Sequence, residues 1–427
     1  MRDKLVAGVD IGTSKITTII AAVKEDAPLH VMGVSTVDSK GLRKGQVVDI
    51  EDAIASISPS LEGSERMAGT SISAAFVSIG GSHISSQNSH GVVAVAEPDR
   101  EITSNDVARV VDAAKAVSIP ASRSILHVLP RGFIVDGQEG IADPVGMTGV
   151  RLEVDTHLVT GGTTAIKNLE KCLEELGVAV SGVVFGGLAS AYAVLSDTEK
   201  ELGVTLVDIG GGTCDVAVFA EGALSYSSVI PIGAKNITND LAIGLRVSLE
   251  SAEKIKLFLS QKQKNPALPE TETKVKKSED ETDLSALTLP EDLKKVSRKT
   301  LVEGIIRPRL NEIFTMVGLE IKKSGFGGKT PSGLVICGGG AETVGLVDAA
   351  RKNLAMPVRI GIPTHISGLV DEILTPAFAT SVGLVQYAAY AGGREVQQQG
   401  RSGKFSAKLP IKGIMGKILE SLKPFLP

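Results

Sequence analysis

Residues 204–219 read Val-Thr-Leu-Val-Asp-Ile-Gly-Gly-Gly-Thr-Cys-Asp-Val-Ala-Val-Phe, and the rest of the chain is read outward from them. The apolar run at 204–207 fits a buried strand, and 216–219 fits a second. Between them Gly210, Gly211 and Gly212 make a tight hairpin turn, with the Thr213 hydroxyl at its end. Glycine loses more conformational entropy on folding than any other residue, so a triple glycine is a poor way to stabilise a plain hairpin. What such a turn gains is close backbone approach and free N–H groups, a concavity suited to an anion. Asp208 enters the turn and Asp215 follows its exit. Carboxylates beside a phosphate cradle are out of place unless a cation lies between them. Taken alone, the stretch would serve equally as an ordinary hairpin with surface acids.

Residues 6–17, Val-Ala-Gly-Val-Asp-Ile-Gly-Thr-Ser-Lys-Ile-Thr, repeat the grammar: a short apolar strand, Asp10, then Gly12, Thr13, Ser14 and Lys15. Asp-Ile-Gly stands at both 10–12 and 208–210. Two copies predict a duplicated domain in which each half gives one phosphate hairpin to a central cleft. A third turn, Gly338, Gly339, Gly340 and Ala341, follows the apolar run at 334–337. A strand running into such a turn and then a helix would lay backbone against a flat ring or ribose. This order of elements resembles the actin, sugar kinase and Hsp70 superfamily. The resemblance implies a two-lobed α/β fold, actin-like and built from duplicated ribonuclease H-like halves, that clamps Mg-ATP.

Composition agrees with such a fold. A length of 427 residues suits two large lobes, and 43% hydrophobic residues suffice for sizeable cores. A net charge of −4 gives no pull toward nucleic acid, and the absence of Trp argues against base-stacking platforms. Cys172, Cys214 and Cys337 share no C-x-x-C spacing, which fits a reducing cytosol. The six histidines show no metal-ligand spacing. Asp10 interrupts the first apolar run, so no signal peptide is expected. Two long uncharged stretches, 176–196 and 373–393, are punctuated by glycine or proline, and each reads as a buried strand or turn feeding a helix.

Between the hairpins lies a block foreign to the actin core. It holds a strand near 91–96, a helix from Thr103 or Ser104 to about Val117, extended segments at 125–130 and 131–135, and a strand at 153–160. Ser82-His83-Ile84, Gly91-Val92-Val93-Ala94, Ile125 to Pro130, Asp136-Gly-Gln-Glu-Gly-Ile, Asp143-Pro-Val-Gly and Gly149-Val-Arg-Leu resemble the FtsA family. FtsA proteins are actin-related bacterial division proteins that tether the tubulin-like FtsZ ring to the membrane. The resemblance runs from about residue 5 to about 390. It implies a lobe I core at 1–81 and 162–200, a self-associating subdomain 1C at 82–161, and lobe II at 201–391. A polar insertion at about 260–299, rich in Lys, Glu, Thr and Ser, reads as mobile and solvated.

The resemblance also distributes roles. Gly233, Lys235 and Asn236, after the second hairpin, join the nucleotide set. Glu253 and Lys256 share one helix face; in related proteins such a pair contacts ribose and adenine, and on spacing alone it is equally a surface ion pair. Asp10 and Asp208 would face Mg²⁺ through its waters. Asp208 and Asp215 are the candidates for orienting a nucleophile, in a chain expected to hydrolyse ATP slowly at most. Arg307 and Arg309, on a helix read at 298–317, would dock the FtsZ tail, unless that face is simply solvated.

The last stretch, 410–427, carries Ile411, Ile414, Met415, Ile418, Leu419 and Leu422 at helical spacing among lysines, behind a polar linker at 392–409. It reads as an amphipathic helix for an anionic membrane surface. The expected function is an ATP-binding division protein that polymerises at the division site on the cytoplasmic side of the membrane, with FtsZ, its own copies and downstream division proteins as partners. The alternatives are a sugar- or acetate-type kinase and a pilus-assembly or chaperone-like ATPase of the same fold.

Overall fold

The computed structural model describes residues 4–24, 27–95, 101–264, 280–291 and 293–390. Two sheets share one topology. In the first, Lys4–Ile11, Lys15–Val23 and Leu29–Asp38 form an antiparallel meander. Ala74–Ile79 then pairs parallel with Lys4–Ile11, and Ala179–Phe185 parallel with Ala74–Ile79. In the second, Val204–Ile209, Cys214–Ala220 and Ala223–Ile230 form the meander. Leu334–Cys337 and Val358–Ile360 extend it in parallel on the other side. The parallel strands follow helices in both halves: Ile50–Ala68 and Thr163–Glu174 in the first, Arg307–Lys323 and Leu346–Leu354 in the second. The duplication expected from the repeated Asp-Ile-Gly is therefore a duplicated sheet, and the fold is actin-like.

Helices Gly186–Val194 and Ala379–Tyr390 pack together between the sheets. Both faces of the second sheet are consequently covered. Leu206 and Ala217 point into a core shared with the first half, while Val207 and Val216 point into a second core. This explains why Val204 to Val207 are buried without alternation. The two uncharged stretches contain these two packed helices. Among the described residues no helix is long and apolar enough to cross a membrane.

The inserted block is an antiparallel sheet of Ser85–Ala94, Arg151–Gly162, Arg123–Val135 and Gln138–Ile141, backed by helix Ser104–Lys115 over its own small core. Thr103 caps that helix in a capping box with Asp106. The two extended segments expected at 125–130 and 131–135 are one strand. A register shift leaves Arg131 unpaired as a bulge beside Pro130, where a residue without an N–H is tolerated.

Two expectations are corrected. The described part of the segment read as a mobile, solvated insertion at about 260–299 is exposed over much of its length but carries regular structure, beginning with the end of helix Leu249–Lys264. Glu281–Asp283 pairs with Lys295–Ser297, and Leu284 is 1% exposed against the second core. Nor does the second half keep everything from 201 to 391. Ile366–Gly368 returns to pair with Leu29–Asp38 at the edge of the first sheet. The linker at 392–409 and the helix expected at 410–427 lie outside the described residues.

Candidate functional site

The two hairpin turns meet between the sheets and close identically. Gly12 N–H donates to Lys15 O at 3.0 Å, and Gly210 N–H to Thr213 O at 2.9 Å. A Cβ on Gly211 would lie 2.0 Å from Ser14 Oγ and 3.1 Å from Ser14 Cβ, so a larger residue would push the Ser14 side chain aside. Thr13 Oγ1 accepts Gly45 N–H. Helix Ala234–Leu245 begins on the second turn: Ala234 and Lys235 N–H groups donate to Gly210 O and Gly211 O, and Asn236 caps Gly233 N–H. A Cβ on Gly233 would sit 2.6 Å from both turn carbonyls. Lys235 Nζ reaches across to Thr13 O at 2.9 Å, joining the two turns.

The acids cluster beneath them. Asp10 accepts from Ser78 Oγ and Ser381 Oγ, each at 2.7 Å. Asp208 accepts from Ser190 Oγ and from Thr380 Oγ1 at 2.8 Å. Asp215 lies directly opposite Asp208 in the hairpin register, where the first hairpin has Thr17 opposite Asp10. Burial raises the carboxyl pKa of Asp208, and neighbouring Asp10 adds to it. Asp215 is pushed well up by burial, then by Asp208 and Asp10. Among the described residues Asp215 Oδ1 has no hydrogen-bond partner. Facing these acids, the Lys15 ammonium lies 3.2 Å from the centre of the Phe378 ring. Burial lowers its pKa to about 8 against the pull of Asp10, Asp208 and Glu342.

Three carboxylates, one with an orphaned oxygen, fit a divalent cation. Among the described residues no three His, Cys, Asp or Glu stand together to hold a metal directly, and a divalent cation here would have to be held through its waters.

The third turn completes the floor. Gly338 takes φ +82°, and a Cβ there would lie 2.2 Å from Asp208 Oδ1; one on Gly340 would lie 2.4 Å from Ile209 Cγ2. Gly339–Glu342 is a 3₁₀ turn with Ala341 buried, and the α-helix expected here starts only at Leu346. Glu253 and Lys256 pair with each other at 2.8 Å, and both bond Thr238 Oγ1. The buried Lys256 is thus fixed, while Glu253 acts on Lys235. Arg307 and Arg309 do not join the cleft. Arg307 pairs with Glu303, and Arg309 with Asp240 and Glu312. Their helix starts at Arg307 after a π-turn at Thr300–Ile306, because Pro308 offers no N–H to close a normal turn.

Sequence reasoning passed over Ser78, Ser190, Phe378, Thr380 and Ser381, which hold the acids and Lys15.

Two family models match the chain: "SHS2 domain inserted in FTSA" over residues 81–160 and "Cell division protein FtsA" over 205–383. The cell division protein FtsA of Pseudomonas aeruginosa is 43% identical over 385 residues, covering 90% of this chain and 89% of the relative. The chain belongs to the FtsA family of cell division proteins. The FtsA of Borreliella burgdorferi is 40% identical, covering 99% of this chain and 98% of its own. Among solved structures, a chain of a PilM–PilN type IV pilus biogenesis complex aligns at TM-score 0.62 with 14% identity, over 90% of this FtsA-family chain and 98% of that one. MreB5 of Spiroplasma citri bound to AMPPNP aligns at TM-score 0.51 with 13% identity, over 94% and 100%. Both likenesses speak to the actin-like fold alone. The family models correspond to the inserted antiparallel sheet and to the second half of the fold.

Proposed function

We propose that this FtsA-family chain binds Mg-ATP between its two hairpin turns, polymerises on the inner face of the cytoplasmic membrane, and anchors the FtsZ ring there. The observation that carries the reading is the contact of two identically closed glycine turns above three buried or half-buried acids and one lysine. Gly12 to Lys15 and Gly210 to Thr213 offer N–H and hydroxyl groups to phosphates. Asp10 and Asp208 would hold Mg²⁺ through water, and the ion would neutralise phosphate charge. Gly338 to Ala341, with Glu253 and Lys256, would flank the nucleoside. That the similarly folded MreB5 is bound to AMPPNP supports nucleotide binding by a chain of this fold.

Self-association falls to the inserted sheet at 82–161, which the cleft does not need. FtsZ docking falls to the surface of Arg307 and Arg309, where a partner's acids would exchange with Glu303, Asp240 and Glu312. Membrane binding falls to 410–427. A small-molecule kinase would leave both the insertion and the basic apolar segment without a role.

Titration of Mg-ATP into the parent and Gly211→Val tests the site. A branched side chain at this contact should weaken binding by at least about tenfold, or about 1.4 kcal/mol, with the circular dichroism spectrum unchanged. Equal affinity in the folded variant would overturn the assignment.

A further inference from the structure

One short segment gathers all three turns. Pro376 O accepts Gly338 N–H from the third turn at 2.8 Å. Thr380 holds Asp208 of the second hairpin, and Ser381 holds Asp10 of the first. Between them Phe378 lies under the Lys15 ammonium, 3.2 Å from ring centre to Nζ. Three of these contacts are hydrogen bonds of the ordinary kind. The fourth is a cation–ring contact: Phe378 is half-buried, packs on one side against the core shared by the two halves, and meets the Lys15 ammonium on its face.

A ring in such a place is stabilised by what it faces. An ammonium over an aromatic face is attracted by the ring quadrupole, the more so where water is excluded. Lysine also has a long flexible stem, and acids nearby could draw its head into a closed ion pair. Here Asp10 and Asp208 direct oxygens to Ser78, Ser381, Ser190 and Thr380, and Lys15 rests on the ring.

We propose that Phe378 is a positioning residue of the nucleotide cleft, whose ring seats the Lys15 ammonium between the two hairpin turns and keeps it available to a phosphate. The inference rests on the reading of the cleft as an ATP site. Phe378 itself touches no phosphate; it acts through Lys15. Because the same segment anchors Asp10, Asp208 and Gly338, the ring sets the cation in register with both acids and with the third turn.

Calorimetric titration of Mg-ATP into the full chain tests this in two backgrounds. Phe378→Leu should weaken binding about 3- to 30-fold, the range of a partly desolvated cation–ring contact, while Phe378→Tyr, which keeps the ring, should restore it. In a Lys15→Met background Phe378→Leu should change affinity by less than about twofold, as groups acting through one another do not add. Should the leucine variant misfold, Phe378→Met removes the ring while keeping a long side chain. Equal losses in both backgrounds would assign Phe378 a merely structural role and overturn the proposal, as would an unchanged affinity in Phe378→Leu. Lys15→Met binding Mg-ATP like the parent would overturn the proposal as well, since the ring acts only through Lys15, whereas equal affinity in Gly211→Val would refute the reading of the cleft itself.

Discussion

Gly186 opens the first of the two helices between the sheets, and a methyl group there would lie 2.5 Å from Asp215 Oδ2. Gly187 beside it would bring a Cβ 3.3 Å from Asp215 Cβ. Gly186 thus makes room for an acid that burial and two neighbouring carboxylates already disfavour as an anion, while Gly187 chiefly makes room for the Phe185 ring, 2.8 Å from its would-be Cβ. Gly186→Ala should destabilise the fold by about 1–3 kcal/mol, the usual cost of overpacking. A lower urea midpoint with an unchanged slope would register it; an unchanged midpoint would mean that Asp215 moves aside freely. The glycines and acids of the two hairpins were legible because turn chemistry is local. The hydroxyls of Ser190, Thr380 and Ser381 were not, since a serine inside an apolar helix looks the same whether it caps its own backbone or holds a distant carboxylate.

At the scale of elements, a polar seam ties the inserted sheet to edge strand Ala223–Ile230 of the second. His157 bonds Asn88 Oδ1 at 2.7 Å and Ser227 Oγ at 2.9 Å; Ser86 Oγ donates to Ser227 O, and Arg131 Nε to Ser225 Oγ. Burial, then the charge of Arg131, drives the His157 pKa from 6.5 down to about 3. The folded imidazole is neutral and the unfolded one takes a proton below about 6.5, so the unfolded state binds more protons in between. This contribution to stability is whole above pH 6.5 and is lost as the pH falls toward 3. At pH 5.5 the loss should be about 1.4 kcal/mol. His157→Gln should lack this component, so its stability should fall less than the parent's between pH 7.5 and 5.5 in urea titrations. Parallel pH profiles would contradict it. Capping made helix Ser104–Lys115 readable in advance, because Thr103 and Asp106 settle its start within four residues. Strand Arg123–Val135 was cut in two at Pro130 because a bulge is a property of the partner strand's register. The pair Glu281–Asp283 and Lys295–Ser297 was hidden by its charged composition, since the burial of Leu284 depends on a core supplied from elsewhere.

For the whole molecule, the repeated Asp-Ile-Gly disclosed the duplication, since both copies must build the same turn against the same cleft. The return of Ile366–Gly368 to the first sheet had no such sign, because a three-residue edge strand is too short to show a period. The proposed function couples the nucleotide cleft to lipid contact by residues 410–427. For one copy the balance at 410–427 is modest. Burying each large aliphatic side chain contributes about 1.5–3 kcal/mol at best, and each lysine near anionic lipid about 1 kcal/mol. Ordering such a segment on lipid would cost about 1–2 kcal/mol per residue, and Gly413 and Gly416 would add to that cost were it to become helical. Many copies in a filament would bind far more firmly than one. The most direct test is co-sedimentation of the full chain and FtsZ with anionic vesicles, with and without Mg-ATP, beside Ile418→Glu. The account predicts that FtsZ pellets with vesicles only when the parent chain is present, most fully with Mg-ATP, and that Ile418→Glu leaves both proteins in the supernatant while still binding ATP. FtsZ remaining in solution beside the vesicle-bound parent, or Ile418→Glu sedimenting at parental levels with Mg-ATP, would contradict it.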